Sequence, residues 1–451
     1  MPDRGRALMA YRFTSEDVAY LSSPDRDEAL GVAAGLALDG DSLIADLTRL
    51  RRSAGEHAGA VAETVRLRRR AEQRWGERPD GWSFTDWLFT DTALQQASPP
   101  AVAAHRARRI AGWLAGSGWA GVHDVTCSIG TDLAALATAG SPGGAGSSAT
   151  AVSPGAARSP GADRFGATRG FPPVAKLLVV GSDLDSVRLT MAQHNLRRSG
   201  LAARLVRADA RTVTTRGLLL YADPARRDVT GRRISSADTI PPVADLDSAD
   251  PAHPPVLRLP PGIDYPALNR PGEIEIVSWR GVVREAVSWP PALASARRRA
   301  TVLAGDGGVE EQLTDDEPDD APVTAPGAFL IDPDPAIVRA HLVRHYAIRH
   351  RLSLLDEHLA YLTGPVPPPG VRAFEIIDVA AHSERTVREW ARRDRVGTLE
   401  IKQRGTPVVP DELRRRIRPT GDTRIARTLV IARIGRDTRA FWCRAVPPAG
   451  S

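Results

Sequence analysis

Four aspartates define the chemistry this chain can do. Asp124, Asp183, Asp209 and Asp223 each follow a short, largely apolar run, in HDVTCSIGTD (123–132), LLVVGSDLDSVRLTMAQHNL (177–196), RLVRADA (204–210) and LLLYADPARRD (218–228). A carboxylate at the end of a buried strand is a fixed acceptor at a sheet edge, where α/β sheets hold nucleotide-like ligands. Asp124 is placed to take an amino group, directly or through water. The turn after it, with Cys127 and Gly130, lets backbone approach the ligand. Asp183 is placed to accept from both ribose hydroxyls, while Asp185 can cap the following helix. Asp209 can accept from an adenine amino group. Asp223 and Pro224 can orient an acceptor amine, the former through its carboxylate and the latter through a nearby carbonyl. Such an amine needs alignment more than a strong base. Arg226 and Arg227, with Arg232 and Arg233 behind them, can clamp phosphate bidentately. Each residue also has a plainer reading: a strand-to-helix turn, a helix cap, an exposed loop acid, a strand terminator, a solvated basic surface.

These acids converge only on a sheet. Strand-like runs alternate with helical stretches such as DLAALA, which predicts an α/β fold with a doubly wound sheet. Three further segments supply strands: PPVLRLPPGIDY, EIEIVSWRGVVREAVSW as a hairpin turning at Arg280 and Gly281, and RRRATVLAG. Ahead of the sheet, residues 1–98 read as helical. Leu43, Leu47 and Leu50 have helical spacing, and Trp75, Trp82 and Trp87 are candidates for a small core. Ser98 reads as an N-cap with Pro99 in the first helical turn. The sheet domain then covers 99–304. Within it, 140–173 is Gly-, Ser- and Ala-rich and is expected to be a disordered insert. Loop-closure entropy grows slowly enough with length for the fold to carry it. An acidic linker (305–326, with DDEPDD) and a helical connector (327–369) lead to a compact α+β module at 370–451.

Composition narrows the classes. At 451 residues the chain has room for two or three domains. No apolar run is long enough to span a bilayer, and the start, MPDRGRALMAYRF, lacks the apolar core of a secretion signal. There are two cysteines, one of them in the candidate ligand turn, so a structural disulfide is not expected and a cytoplasmic location is. The cysteines and histidines show no metal-ligand spacing, so no metal is expected. Lysine occurs only at Lys176 and Lys402, a bias that a GC-rich coding sequence would produce. The distribution of charge says more. From residue 370 onward there are 18 Lys and Arg against 10 Asp and Glu, a surplus of eight, while the whole chain carries only +6. An acidic polymer such as RNA suits that end, although a basic surface need not bind anything.

With these residues in view, the chain resembles the class I S-adenosylmethionine-dependent methyltransferases, and in particular their trimethylguanosine synthase-like branch. The resemblance covers 95–228. The branch's first motif, D-x-x-C-G-x-G-G-N, is matched by Asp124, Cys127 and Gly130. Its D-I-D-P-x-(K/R) is matched by Asp183, Asp185 and Arg188, and its A-x-x-N by Ala192 and Asn195. SPPAVAAHRARR (98–109) stands where the branch has its pre-strand segment. Nearly the whole chain also resembles a bacterial group of methyltransferases with a C-terminal THUMP-like domain, through WLFTDTALQQAS, DPARR, PGIDY and EIKQRGTPVVPDELRRRI. The resemblance implies a Rossmann-like seven-stranded sheet and S-adenosylmethionine as cofactor. It implies cofactor contacts from Ser98, Asp124, Cys127, Gly130, Asp183 and Asp209, and catalysis at Asp223 and Pro224. It also implies an RNA substrate (tRNA or rRNA) methylated on a base nitrogen and contacted by Arg226 and Arg227. A protein or small-molecule acceptor, and a non-catalytic RNA-binding module, are the alternatives. Departures are Ser128 and Thr131 for motif glycines, Asp132 for the motif asparagine, and Arg226 where amine methyltransferases carry an aromatic.

Overall fold

The computed structural model describes residues 11–76, 84–141, 177–225 and 239–446. Trp82, nearly all of the insert expected at 140–173, and Arg226, Arg227, Arg232 and Arg233 lie outside them. The chain divides into two compact units. One comprises Met1–Arg280, Arg284–Ser295 and Leu303–Val309; the other comprises Gly281–Val283, Ala296–Val302 and Glu310–Ser451.

The first sheet contains β1 (Gly121–Asp124), β2 (Leu178–Asp183), β3 (Arg204–Arg207), β4 (Leu218–Ala222), β5 (Val256–Leu259), β6 (Glu273–Trp279), β7 (Val282–Trp289), β8 (Arg298–Leu303) and β9 (Val309–Thr314). Their order is β3-β2-β1-β4-β5-β7-β6-β8-β9. β1 runs parallel to both β2 and β4, β2 to β3, and β4 to β5, whereas β7 is antiparallel to β5. Every residue of β4, LLLYA, is buried, as expected for a central strand covered on both faces. Among the described residues the sheet has nine strands where seven were expected. Part of the excess is β9, which lies in the stretch read as an acidic linker. It buries only Leu313, so VEEQLT carries almost no apolar signal.

In the first unit, helices Leu43–Ala54 and Ala58–Trp75 pack Leu50, Val61, Leu67 and Trp75 into a core that also holds Trp87, Phe89, Val122, Val179 and Tyr221. The N-terminal helices therefore share the core of the sheet instead of enclosing a small one of their own. Asn195 fastens the two parts together. It is fully buried on helix Ser186–Arg198. Its Oδ1 accepts from the Leu88 amide (2.7 Å), and its Nδ2 donates to the carbonyls of Leu88 and Ile129 (both 3.0 Å).

The second unit is built on a seven-stranded sheet of β10 (Phe329–Ile331), β11 (Ser353–Leu354), β12 (Leu362–Gly364), β13 (Ala373–Ala381), β14 (Val396–Arg404), β15 (Asp422–Ile434) and β16 (Asp437–Val446). The order is β11-β12-β10-β13-β16-β15-β14. Leu429 and Ile431 face one core with Val387, Trp390 and Leu413, and Val430 and Ala432 face another with Leu330, Tyr361 and Phe374, the two-residue alternation of a strand buried on both sides. Three of these strands arise from 327–369, which was expected to be a helical connector. It does carry short helices (Pro335–Arg339, Val343–Arg349), but its strands are two or three residues long, too short to show periodicity.

Candidate active site

β1 has β2 on one side and β4 on the other, so the chain reverses its direction of travel across the sheet between them. In open α/β sheets ligands bind beside such a switch point, at the carboxyl ends of the strands, and the acids singled out by sequence lie at or just beyond those ends. Asp124, the last residue of β1, is 1% exposed. Its Oδ1 accepts from the Thr126 amide (3.0 Å) and hydroxyl (3.4 Å). Burial, reinforced by the Asp132 carboxylate and, more weakly, that of Asp223, pushes the Asp124 carboxyl well above the usual range and favours its neutral form. The Thr126 hydroxyl in turn accepts from the Asp223 amide (2.7 Å), tying the first motif to the fourth.

The turn beyond Thr126 is tight. The Cys127 amide donates to the Ser182 carbonyl (2.9 Å), and the Gly130 amide to the Cys127 carbonyl (2.8 Å). Gly130 has φ 86°, a left-handed angle that glycine adopts at little cost, and it begins helix Thr131–Ala139. Beneath the turn, a Cβ on Gly181 would lie 2.4 Å from Leu133 and 3.1 Å from Cys127, so only glycine lets β2 approach this closely. Ser128 is also left-handed, at φ 51°, where the branch carries glycine. The Cys127 thiol is free and buried, and burial raises its pKa well above normal and disfavours the thiolate.

Asp183 and Asp185 divide the work. Asp185 Oδ1 accepts from the amides of Val187 (2.9 Å) and Arg188 (3.2 Å) and caps the helix. Asp183, half-buried at the end of β2, accepts from the amides of Ser128 (3.0 Å, Oδ2) and Asp185 (2.9 Å, Oδ1). A carboxylate offers about four acceptor sites, so capacity for a ligand remains. Asp209 lies in the loop after β3, gripped by Arg211 (Nη2 to Oδ2 2.6 Å). That bond holds its carboxyl below the usual range.

Ser98 is not a helix cap. The cap position falls on Pro99, and helix Pro100–Ser117 begins one residue later than expected. The Ser98 hydroxyl is drawn inward instead, donating to Glu285 Oε2 (3.1 Å) and accepting from Arg106 Nη2 (3.4 Å). This opens a buried network that sequence reading missed. Arg106 bridges Glu285 and Asp132, the latter at 2.7 Å, and the Tyr221 hydroxyl donates to Asp132 Oδ2 (2.7 Å). Arg258 Nε meets Glu285 Oε2 at 3.2 Å, while its Nη1 pairs with Asp223 Oδ2 and donates to the Gln96 carbonyl (2.9 Å). Burial works against the Arg106 and Arg258 charges, but their carboxylate partners outweigh it and raise both pKa values. A signal was present: an arginine within VLRL and a glutamate within REAVSW are charges in strands that must find partners inside. Pro224 is buried beside Asp223. Among the described residues no group of three or more His, Cys, Asp or Glu could hold a metal ion, and no helix is long and apolar enough to cross a membrane.

Residues 371–445 match the family model described as THUMP domain-like, and residues 14–71 match a domain of unknown function, DUF8688. The chain is 41% identical over 404 residues to uncharacterized S-adenosylmethionine-dependent methyltransferase MT3122 of Mycobacterium tuberculosis (strain CDC 1551 / Oshkosh), covering 88% of this chain and 99% of that protein. Uncharacterized S-adenosylmethionine-dependent methyltransferase Rv3037c of Mycobacterium tuberculosis (strain ATCC 25618 / H37Rv) matches equally. Among solved structures, a protein of Porphyromonas gingivalis W83 assigned as a methyltransferase shares the fold, with a TM-score of 0.66 at 18% identity over 96% of this chain and 99% of that one.

Proposed function

Since the chain belongs to the S-adenosylmethionine-dependent methyltransferases that carry a THUMP-like domain, we propose that it methylates a base nitrogen of structured RNA (tRNA or rRNA), foremost the exocyclic amine of guanine. It is an enzyme, and S-adenosylmethionine is its cofactor. The strand-end acids suit that molecule. Asp124, Asp183 and Asp223 present carboxyl oxygens there, acceptors that fit a ligand bearing ammonium and ribose hydroxyl groups. When bound, the cofactor supplies an electrophilic methyl group.

In this reading the turn with Cys127 and Gly130, together with Asp124, holds the amino-acid end of the cofactor. Asp183 accepts from the ribose, Asp209 from the adenine amine, and Ser98 supports the pocket from behind. Asp223 accepts a hydrogen bond from the acceptor amine, and the chain at Pro224 offers a carbonyl, so that the lone pair is aligned for transfer. Arg226 and Arg227 contact the RNA; an arginine in place of the usual aromatic can stack on a base. The motif spacing supports the trimethylguanosine synthase-like branch, without its cap-stacking aromatic. A cytoplasmic site of action accords with an RNA substrate.

The observation that carries the RNA reading is the THUMP domain-like match at 371–445. In that region Arg388, Arg415, Arg416 and Arg418, with Glu412, line a cavity of about 630 Å³. Arg416 pairs with Glu384 and Glu412, and Arg388 with Glu384, but Arg415 and Arg418 form no ion pair among the described residues. Such unneutralised guanidiniums suit phosphate.

The test is transfer of radiolabelled methyl from S-adenosylmethionine to total RNA and, separately, to total protein, with Asp223→Ala alongside. Label should enter RNA and vanish with Asp223→Ala, while that variant's affinity for the cofactor stays near wild type. Label confined to protein would replace the RNA reading, and undiminished label with Asp223→Ala would remove Asp223 from the mechanism.

A further inference from the structure

We propose that Arg258 and Glu285 are positioning residues, which aim the Asp223 carboxylate at the acceptor amine and register it to the turn that holds the cofactor. The inference rests on the reading of Asp223 given above. It starts from a continuous line of charge: Asp132, Arg106, Glu285, Arg258, Asp223. One end lies in the first turn of the helix that follows the cofactor turn. The other end is Asp223. Side-chain exposure along the line is 9%, 3%, 0%, 4% and 22%, so it is dry until it opens at Asp223.

Packing alone is a poor reason for such a line. Buried ion pairs are often no more stabilising than apolar side chains of the same volume, because desolvation offsets the attraction. What they do supply is direction. Arg258 meets acceptors on three separate segments: Asp223 after β4, Glu285 on β7, and the Gln96 carbonyl at the end of helix Asp91–Gln96. A planar guanidinium held in this way has little freedom to turn, and the carboxylate it grips shares that constraint. Glu285 is fixed through its other oxygen by Arg106, and Arg106 by Asp132. β5 and β7 are hydrogen-bonded neighbours, with Arg258 opposite Val287, which keeps Arg258 and Glu285 within reach of each other.

The experiment compares Arg258→Lys, Arg258→Gln and Glu285→Gln with wild type and with Asp223→Ala. Single-turnover transfer is followed into whichever fraction, RNA or protein, the wild type labels, with cofactor Kd measured by calorimetry. Lysine keeps the charge but not the fork, so Arg258→Lys should fold and slow transfer on the order of tenfold. Arg258→Gln should slow it by about 10²-fold, the cost of misplacing a reacting group by about 1 Å. Glu285→Gln should fall between wild type and Arg258→Gln. Cofactor Kd should stay at the wild-type value in all three. A crystal structure of Arg258→Lys, which needs no substrate, should show the Asp223 carboxylate turned from its wild-type direction. Wild-type rates in both Arg258 variants, an unmoved Asp223, or a loss of cofactor affinity parallel to the loss of rate would each overturn the proposal. Wild-type turnover by Asp223→Ala would overturn the reading of Asp223 itself, and this inference with it.

Discussion

Ser128 shows how much a single residue in the cofactor turn bears. At φ 51° it holds a left-handed angle, which costs a residue with a side chain roughly 1–2 kcal/mol. Its amide uses that geometry to reach Asp183 Oδ2 at 3.0 Å. Ser128→Gly keeps the amide and removes the Cβ clash, although glycine gives back part of the gain through its freer unfolded chain. We expect a net stabilisation of about 1 kcal/mol by urea denaturation, with cofactor affinity unchanged. A loss of stability or of affinity would mean that the serine hydroxyl holds something the fold depends on. Thr131, the other departure from the glycine pattern, opens a regular helix and carries no such strain.

At the scale of elements, β1 is the strand on which the site hinges, and its His123 ties it to its surroundings. The ring is 1% exposed, with Nδ1 2.9 Å from Thr215 Oγ1 and Nε2 3.0 Å from Ser182 Oγ. Burial lowers its pKa to about 4. A histidine held neutral in the fold contributes stability that is fully present above its unfolded pKa of about 6.5 and is lost as pH falls toward the folded value. The unfolded chain binds the proton first and is favoured by it. His194, also lowered to about 4 by burial, acts in the same direction. Acidification from pH 7 to 4.5 should therefore cost on the order of 2–3 kcal/mol through His123 alone. Urea titrations at the two pH values should show a smaller drop for His123→Asn than for wild type. Equal drops would show that the ring does not carry the acid sensitivity.

For the whole molecule, the two sheets decide how the RNA reading is best tested. Removing residues 370–451 would take β13, β14, β15 and β16 out of a sheet that begins at β10 and would strip Leu330 and Tyr361 of their core partners. A truncation there would report on folding as much as on binding. Substituting the cavity arginines leaves the sheet intact. The double variant Arg415→Gln, Arg418→Gln should lower affinity for total tRNA. It should also flatten the dependence of log K on log salt by about 2, close to one unit for each phosphate no longer neutralised. An unchanged slope in filter-binding assays would move the RNA surface away from this cavity.

Much of this protein was legible from sequence because short-range physics governs it. The strand ends at Asp124 and Asp183 and just before Asp223, the helix capped by Asp185, the hairpin at Arg280 and Gly281, and the strands and helices after residue 370 all follow from local apolar runs, caps and turns. The family and cofactor followed from the same motifs. Where the sequence reading fell short, the deciding interactions are non-local. Ser98 looks like a cap until Arg106 and Glu285, the latter 187 residues away, claim its hydroxyl. Residues 309–314 look like an acidic linker because an edge strand needs only one buried side chain, and strands β10 to β12 are too short for any pattern to show. Arg258 is a charge in an apolar strand, a cue left unread in the sequence, and only the tertiary structure shows which carboxylates it meets. Burial obliges a charge to find a partner, and the packing of distant segments decides which one.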